Sequence, residues 1–117
     1  MDPLRNQCTD AQIERLLKAH DLIRMMDRDM PAQVVSCLLY IASHKNCHKQ
    51  AMEDYLDISV ASGSRNSAWL SDKHRLGKPG LGLITREEDP TNRRRLTLKL
   101  TKKGELLIKS IRSVLYD

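Results

Sequence analysis

Residues Leu83 to Gly104 constrain the fold of this chain more than any other stretch. Leu96, Leu98 and Leu100 alternate with Arg95, Thr97 and Lys99. A period of two puts one face on a core and the other in water, the pattern of a half-buried strand. Leu83-Ile84-Thr85-Arg86 before it reads as a partner strand, and Asp89-Pro90-Thr91-Asn92 between them reads as a tight loop. Pro90 pre-sets its own φ, and Asp89 and Asn92 can bond nearby backbone amides. Three consecutive arginines, Arg93, Arg94 and Arg95, follow the loop. The expectation is an antiparallel hairpin from about Leu81 to Leu100 with a cationic tip, a shape that fits a DNA groove.

The rest of the chain reads as helices. Thr9-Asp10-Ala11-Gln12 predicts a capping box with Thr9 as the cap. The first helix is then expected over about residues 9–28, with Ile13, Leu16, Leu17, His20, Ile23 and Met26 at three-and-four spacing. Pro31 suits the first turn of a second helix running to about Ser43, because its missing N–H costs nothing there. Val34, Val35, Leu38, Leu39, Ile41 and Ala42 cover much of that helix, which should be the most buried. His44-Lys45-Asn46-Cys47-His48 reads as its polar ending, with a turn at Asn46. A short third helix is expected from Gln50 to Asp57, with Met52, Tyr55 and Leu56 inward. Ser59 is a good cap for a fourth helix reaching about Lys73 or Arg75. Leu76 to Gly80 is read as a loop. Thr101 should cap a final helix over about 101–116, whose apolar residues spread over more than one stripe. Lys102 and Lys103 in its first turn oppose the helix dipole, which a nearby phosphate would explain.

Charge is unevenly placed. Residues 1–58 hold seven Lys/Arg against nine Asp/Glu, whereas residues 59–104 hold eleven against four. A local basic face is the electrostatic footprint of polyanion binding. With no Phe, one Trp and three Tyr, the core must be built from Leu, Ile, Val and Met. The 117 residues amount to a single domain, 1–117, of a size that often gains stability by dimerising. The N-terminus reads as no signal peptide and no apolar run approaches a membrane span, so a cytoplasmic protein is expected.

Three further patterns coincide with a known family. Gly82-Leu83-Ile84-x-Arg86, then Asp89-x-x-Asn92-Arg93-Arg94, then Leu100-Thr101-x-x-Gly104 resembles the wing signature of the MarR (multiple-antibiotic-resistance regulator) family of winged helix-turn-helix repressors. Leu56-Asp57-Ile58-Ser59 also resembles the register that leads into a recognition helix. The resemblance implies that Asp89 holds Arg94 by an ion pair and that the wing tip enters the minor groove. Where the family often carries a basic residue this chain has Thr91, which leaves insertion to Arg93 or Arg95. The passage Leu76–Gly80 is longer than the family's usual connection to the wing. The chain is also shorter than typical members, chiefly at the C-terminus, which counts against a small-molecule effector.

Candidate base-reading residues are Ser62, Ser64, Arg65 and Asn66 in the fourth helix. Small side chains let a helix sit deep in a major groove, Arg can bridge guanine O6 and N7, and Asn can pair with adenine. Lys73, Arg75 and Lys78 are candidate phosphate contacts, with Thr91, Arg93, Arg94 and Arg95 in the wing and Asp89 as its structural support. His44, Cys47 and His48 do not have the spacing of a standard zinc site, and a fourth ligand would have to come from Cys37 or His74, so no metal is expected. Cys8, Cys37 and Cys47 suggest no disulfide framework; Cys8 reads as exposed, with no adjacent positive charge other than Arg5 to favour its thiolate, and Cys37 reads as core. No phosphate-binding Gly-rich loop, HExxH or nucleophile elbow is present, so neither an enzyme nor a cofactor is expected.

The sequence therefore points to a mainly α fold with one small antiparallel β-hairpin, a winged helix-turn-helix. The expected function is control of transcription as a homodimer on double-stranded DNA, as a repressor, with the first and last helices joining the two copies. Two alternatives share the fold: a winged-helix module that binds protein, and a replication or partition factor that binds repeated DNA sites.

Overall fold

The computed structural model describes residues 6–72 and 78–117, with Arg93 and Arg94 described in their backbone only. Among the described residues the order is α1 (Ala11–Arg24), α2 (Ala32–Ser43), β1 (Cys47–His48), α3 (Lys49–Leu56), α4 (Val60–Leu70), β2 (Ile84–Asp89), β3 (Asn92–Leu100) and α5 (Lys102–Tyr116).

The first helix begins one residue later than Thr9 would have it. Asp10 is the cap, its carboxylate accepting from the Ile13 amide at 3.1 Å, and a negative charge also suits the positive end of the helix. The helix stops at Arg24, short of residue 28, because Asp27 closes a turn of its own. The Asp27 carboxylate accepts from the Asp29 amide at 2.9 Å and its carbonyl accepts from Met30 at 3.3 Å. Ala19 and Ile23 face the core, while Ile13, Leu16 and Leu17 face outward. In α2, Pro31 is the N-cap and not a first-turn residue; its carbonyl accepts from Val34 and Val35. Val34, Cys37, Leu38 and Ile41 are buried as expected, but Leu39 is exposed.

Asn46 makes the expected turn at φ 56°. The residues after it form β1, a strand that the sequence reading missed, pairing Cys47 with Leu98 and His48 with Thr97. The sheet is thus three-stranded, antiparallel, in the order β1-β3-β2. In β3 the alternation holds: Leu98 is fully buried, with Leu96 and Leu100 half-buried beside it.

The inward stripe of α3 differs from expectation. Lys49, Met52 and Glu53 are buried and Leu56 is half-buried, whereas Tyr55 is exposed. Positions 49, 52, 53 and 56 are one helical face, and it carries a charged pair where an all-apolar stripe would have placed Tyr55. Instead the Tyr55 ring lies 5.1 Å from that of Tyr40, which stacks on His44 at 3.9 Å. Asp57, at φ 53°, ends α3 in the left-handed region, and the Ile58 amide donates to the Glu53 carbonyl. This is the tight turn of a helix-turn-helix.

Leu81 to Leu83, expected to open the first strand, instead run against the end of α4. The amides of Gly80, Leu81, Gly82 and Leu83 donate to the carbonyls of Asp72, Trp69, Ser71 and Leu70 at 2.8–3.0 Å. A Cβ at Gly80 would overlap the Ser71 carbonyl, so the close approach requires glycine. Thr101 caps α5 as expected, accepting from the Gly104 amide and donating to the Gly82 carbonyl. Lys103 donates to the Leu81 carbonyl at 2.7 Å, which gives this lysine a role within the fold. Leu107, Ile108 and Ile111 face the core and α5 packs along α1, leaving Leu106 exposed.

Candidate nucleic-acid interface

The exposed side of α4 is ordered by a relay of polar contacts. Ser59 caps the helix by accepting from the Ser62 amide at 3.0 Å. Its hydroxyl donates to the Ser62 hydroxyl at 3.1 Å, which accepts from the Arg65 guanidinium at 3.0 Å. Positions 59, 62 and 65 follow one line up the helix surface. The relay extends an exposed Arg65 alongside half-buried Ser62 and Ser64. A pre-oriented guanidinium loses less freedom when it pairs with a base edge or phosphate.

Asn66 does not belong to this face. It is buried, its amide donating to Gln33 Oε1 at 2.8 Å and to Cys37 Sγ at 3.6 Å. One residue beyond Arg65 is a rotation of about 100°, which turns Asn66 onto α2. Asn66 therefore holds α4 in place and, contrary to expectation, does not face the base-reading side. Lys73 and Arg75 lie outside the described residues; Lys78 is exposed.

In the wing, β2 and β3 pair from Ile84↔Leu100 to Glu88↔Leu96, with an irregularity at Glu88/Asp89 before the tip. One Asp89 oxygen accepts from both the Thr91 amide at 2.8 Å and the Thr91 hydroxyl at 2.7 Å. These two bonds, followed by the positive charges of Arg95 and His48, hold the Asp89 carboxyl below its ordinary range. Asp89 thus supports the tip through Thr91. The side chains of Arg93 and Arg94 lie outside the described set, and with them the expected Asp89–Arg94 ion pair. Thr91 and Arg95 are exposed, and Lys99 pairs with Glu87 at 3.2 Å.

Sequence reading missed two supports of this surface. Lys49 and Glu53 form a buried ion pair beneath α4, and the ammonium also donates to the Val60 carbonyl at 3.4 Å. Gly63, an isolated glycine within a helix, was the available signal. The Trp69 indole N–H donates to the Asp27 carboxylate at 2.7 Å across 42 residues of sequence; a lone Trp was the only hint.

The cysteines are held as thiols. A bond to Glu14 pushes exposed Cys8 up, and burial pushes Cys37 up and Cys47 to about 11. Among the described residues no group of three or more His, Cys, Asp or Glu is placed to hold a metal, and His74 lies outside them. No described helix is long and apolar enough to cross a membrane.

No family model and no curated protein matches the chain. Solved structures do. The crystal structure of MarR is 26% identical at a TM-score of 0.62, over 87% of this chain and 71% of that one. The S. aureus MepR–DNA complex is 20% identical at 0.67, over 87% and 76%. A MarR transcriptional regulator from Methanosarcina mazei Go1 is 19% identical at 0.62, over 89% and 70%. At these TM-scores each shares the overall fold of this chain over most of its length. The chain has a MarR-like winged helix-turn-helix fold.

Proposed function

We propose that this chain is a sequence-specific double-stranded-DNA-binding transcriptional regulator that acts in the cytoplasm as a homodimer and represses by occupying its site. The observation that carries this reading is the Ser59–Ser62–Arg65 relay, which aims a guanidinium outward from the second helix of a helix-turn-helix. In this reading α4 enters the major groove and the wing reaches the neighbouring minor groove, whose negative potential attracts arginine. Arg65 reads a base edge, with Ser62 and Ser64 beside it. Lys78, Arg95 and, from sequence, Lys73, Arg75, Arg93 and Arg94 contact phosphate or the minor groove. The basic balance of residues 59–104 supports this assignment, as does the similarity to MepR, solved as a DNA complex. The homodimer is supported by Ile13, Leu16 and Leu17 of α1 and Leu106 of α5, each 56–61% exposed on two helices that pack together. Exposed apolar residues of this kind are removed from water by a second copy.

The test is selection of binding sites from a random-sequence duplex library by the purified protein. Recovery of a two-fold site supports the proposal; recovery of sequences with no shared motif refutes sequence-specific recognition.

A further inference from the structure

The bond between Trp69 and Asp27 joins two parts of the molecule with different tasks. Asp27 lies in the turn that follows α1, the helix with the exposed apolar face. That turn is tightly tied: the Met25 amide donates to Asp21, Met26 to Ile23, Met30 to the Asp27 carbonyl and Asp29 to the Asp27 side chain. The second carboxylate oxygen of Asp27 accepts from the Trp69 indole. Both side chains are half-buried, where a bond to an ionised acceptor is stronger than a neutral one. Trp69 also holds the segment that leads into the wing, since its carbonyl accepts from the Leu81 amide at 3.0 Å. One turn earlier on α4, Asn66 bonds Gln33 near the start of α2. The carboxyl-terminal half of α4 is therefore fastened by Trp69 to the segment that connects α1 to α2, and by Asn66 to the first turn of α2.

We propose that Asp27 and Trp69 are positioning residues that fix the recognition helix relative to the dimer-forming helix and so set the permitted spacing of the two DNA half-sites. The proposal rests on the homodimeric DNA-binding function put forward for the chain. In a two-fold dimer the distance between recognition helices follows from the placement of each against its own dimer element. Moving a half-site by one base pair shifts it by about 3.4 Å and a tenth of a turn. A rigid tether makes that shift costly. Without it, the reading unit can rock about residues 25–31 and follow the displaced half-site.

The test uses the full chain and duplexes carrying its selected two-fold site, at the selected spacing and with the half-sites one base pair closer or farther apart. Trp69→Phe removes the donor and keeps an aromatic ring in the packing. Asp27→Ala removes the acceptor, and the double variant removes both; far-UV circular dichroism checks that each is folded. The wild type is expected to lose about tenfold or more in affinity at either altered spacing, the size associated with one hydrogen bond to a charged group. Each variant is expected to lose less than about threefold at altered spacing, and the double variant to match Asp27→Ala, which removes the Asp29 bond as well as the one from Trp69. If Asp27→Ala unfolds, Trp69→Phe decides the question. A folded Trp69→Phe protein with the wild-type spacing penalty overturns this role while leaving the DNA-binding function intact. A wild type that selects no two-fold site overturns both.

Discussion

The carboxylate of Glu53 lies where a side chain on Gly63 would begin. A Cβ at that position would overlap the Glu53 carboxyl group and its Cγ. Glu53 has little freedom to retreat, being buried and paired with Lys49. On helix propensity alone Gly63→Ala would stabilise α4 by about 1 kcal/mol. Overpacking reverses the sign, and the expected result is a loss of about 1–3 kcal/mol. Urea denaturation followed by circular dichroism measures it; a more stable Gly63→Ala protein would show that α3 and α4 can part without cost.

The Lys49–Glu53 pair gives a second expectation. Glu53→Ala leaves an ammonium buried without its counter-charge, a loss of about 3–5 kcal/mol. Replacing both members with apolar residues, Lys49→Met with Glu53→Leu, removes the unpaired charge and should cost less than the single change. Denaturation midpoints of the three proteins decide this. A double variant less stable than Glu53→Ala would mean that the ionic pair itself holds the helices together.

These two helices also show where the sequence was legible. The hairpin was, because Leu96, Leu98 and Leu100 repeat every two residues over a long strand. The caps Ser59 and Thr101 were, because capping depends on residue type and position within a few residues. The inward face of α3 was not: its stripe contains Lys49 and Glu53, and a rule that keeps charges outside assigns the place to Tyr55. β1 has two residues, too few to show a period. Residue chemistry alone puts Asn66 among the readers, while its direction depends on a helix phase that contact with Gln33 and Cys37 sets. The strap of residues 80–83 along α4 is built from backbone bonds, which leave no side-chain pattern.

Within the candidate interface, the readers and the phosphate contacts should separate by their effects. Arg65→Ala is expected to weaken binding to the selected site by about 1–3 kcal/mol and to relax preference at one base position. Lys78→Ala and Arg95→Ala should weaken all duplexes alike and each lower the salt slope by about 1. Asn66→Ala should lower stability and leave the preferred sequence unchanged. Competition binding against single-base variants of the site distinguishes these outcomes. A change of base preference in Asn66→Ala would return that residue to the reading face.

The wing tip should respond to acid. The Asp89 carboxyl is depressed by its two bonds from Thr91, so the folded group binds its proton at lower pH than the unfolded one. Its contribution to stability is complete above the unfolded value of 3.8 and is lost as pH falls through the folded value. Binding near neutral pH should therefore be indifferent to this group's titration. NMR titration should find Asp89 below 3.8, and Thr91→Ala should raise it. An unaltered Asp89 titration in Thr91→Ala would assign the depression to the Thr91 amide and the neighbouring cations, with no part for the hydroxyl.

Thiol reactivity separates the cysteines. Cys47, buried and pushed to about 11, and buried Cys37 should resist alkylation in the folded protein. Exposed Cys8 should react first, at a rate lower than a free thiol because Glu14 favours its protonated form. Mass spectrometry of a timed iodoacetamide reaction gives the order; early modification of Cys47 would show that β1 opens readily.

The most direct test of the central claim is titration of the selected duplex and a scrambled duplex of equal length at two salt concentrations. The expected result is one dimer per selected duplex, at least about a thousandfold tighter than on the scrambled one, with both affinities falling as salt rises. Equal affinity for the two duplexes would contradict sequence-specific regulation and leave only a basic surface.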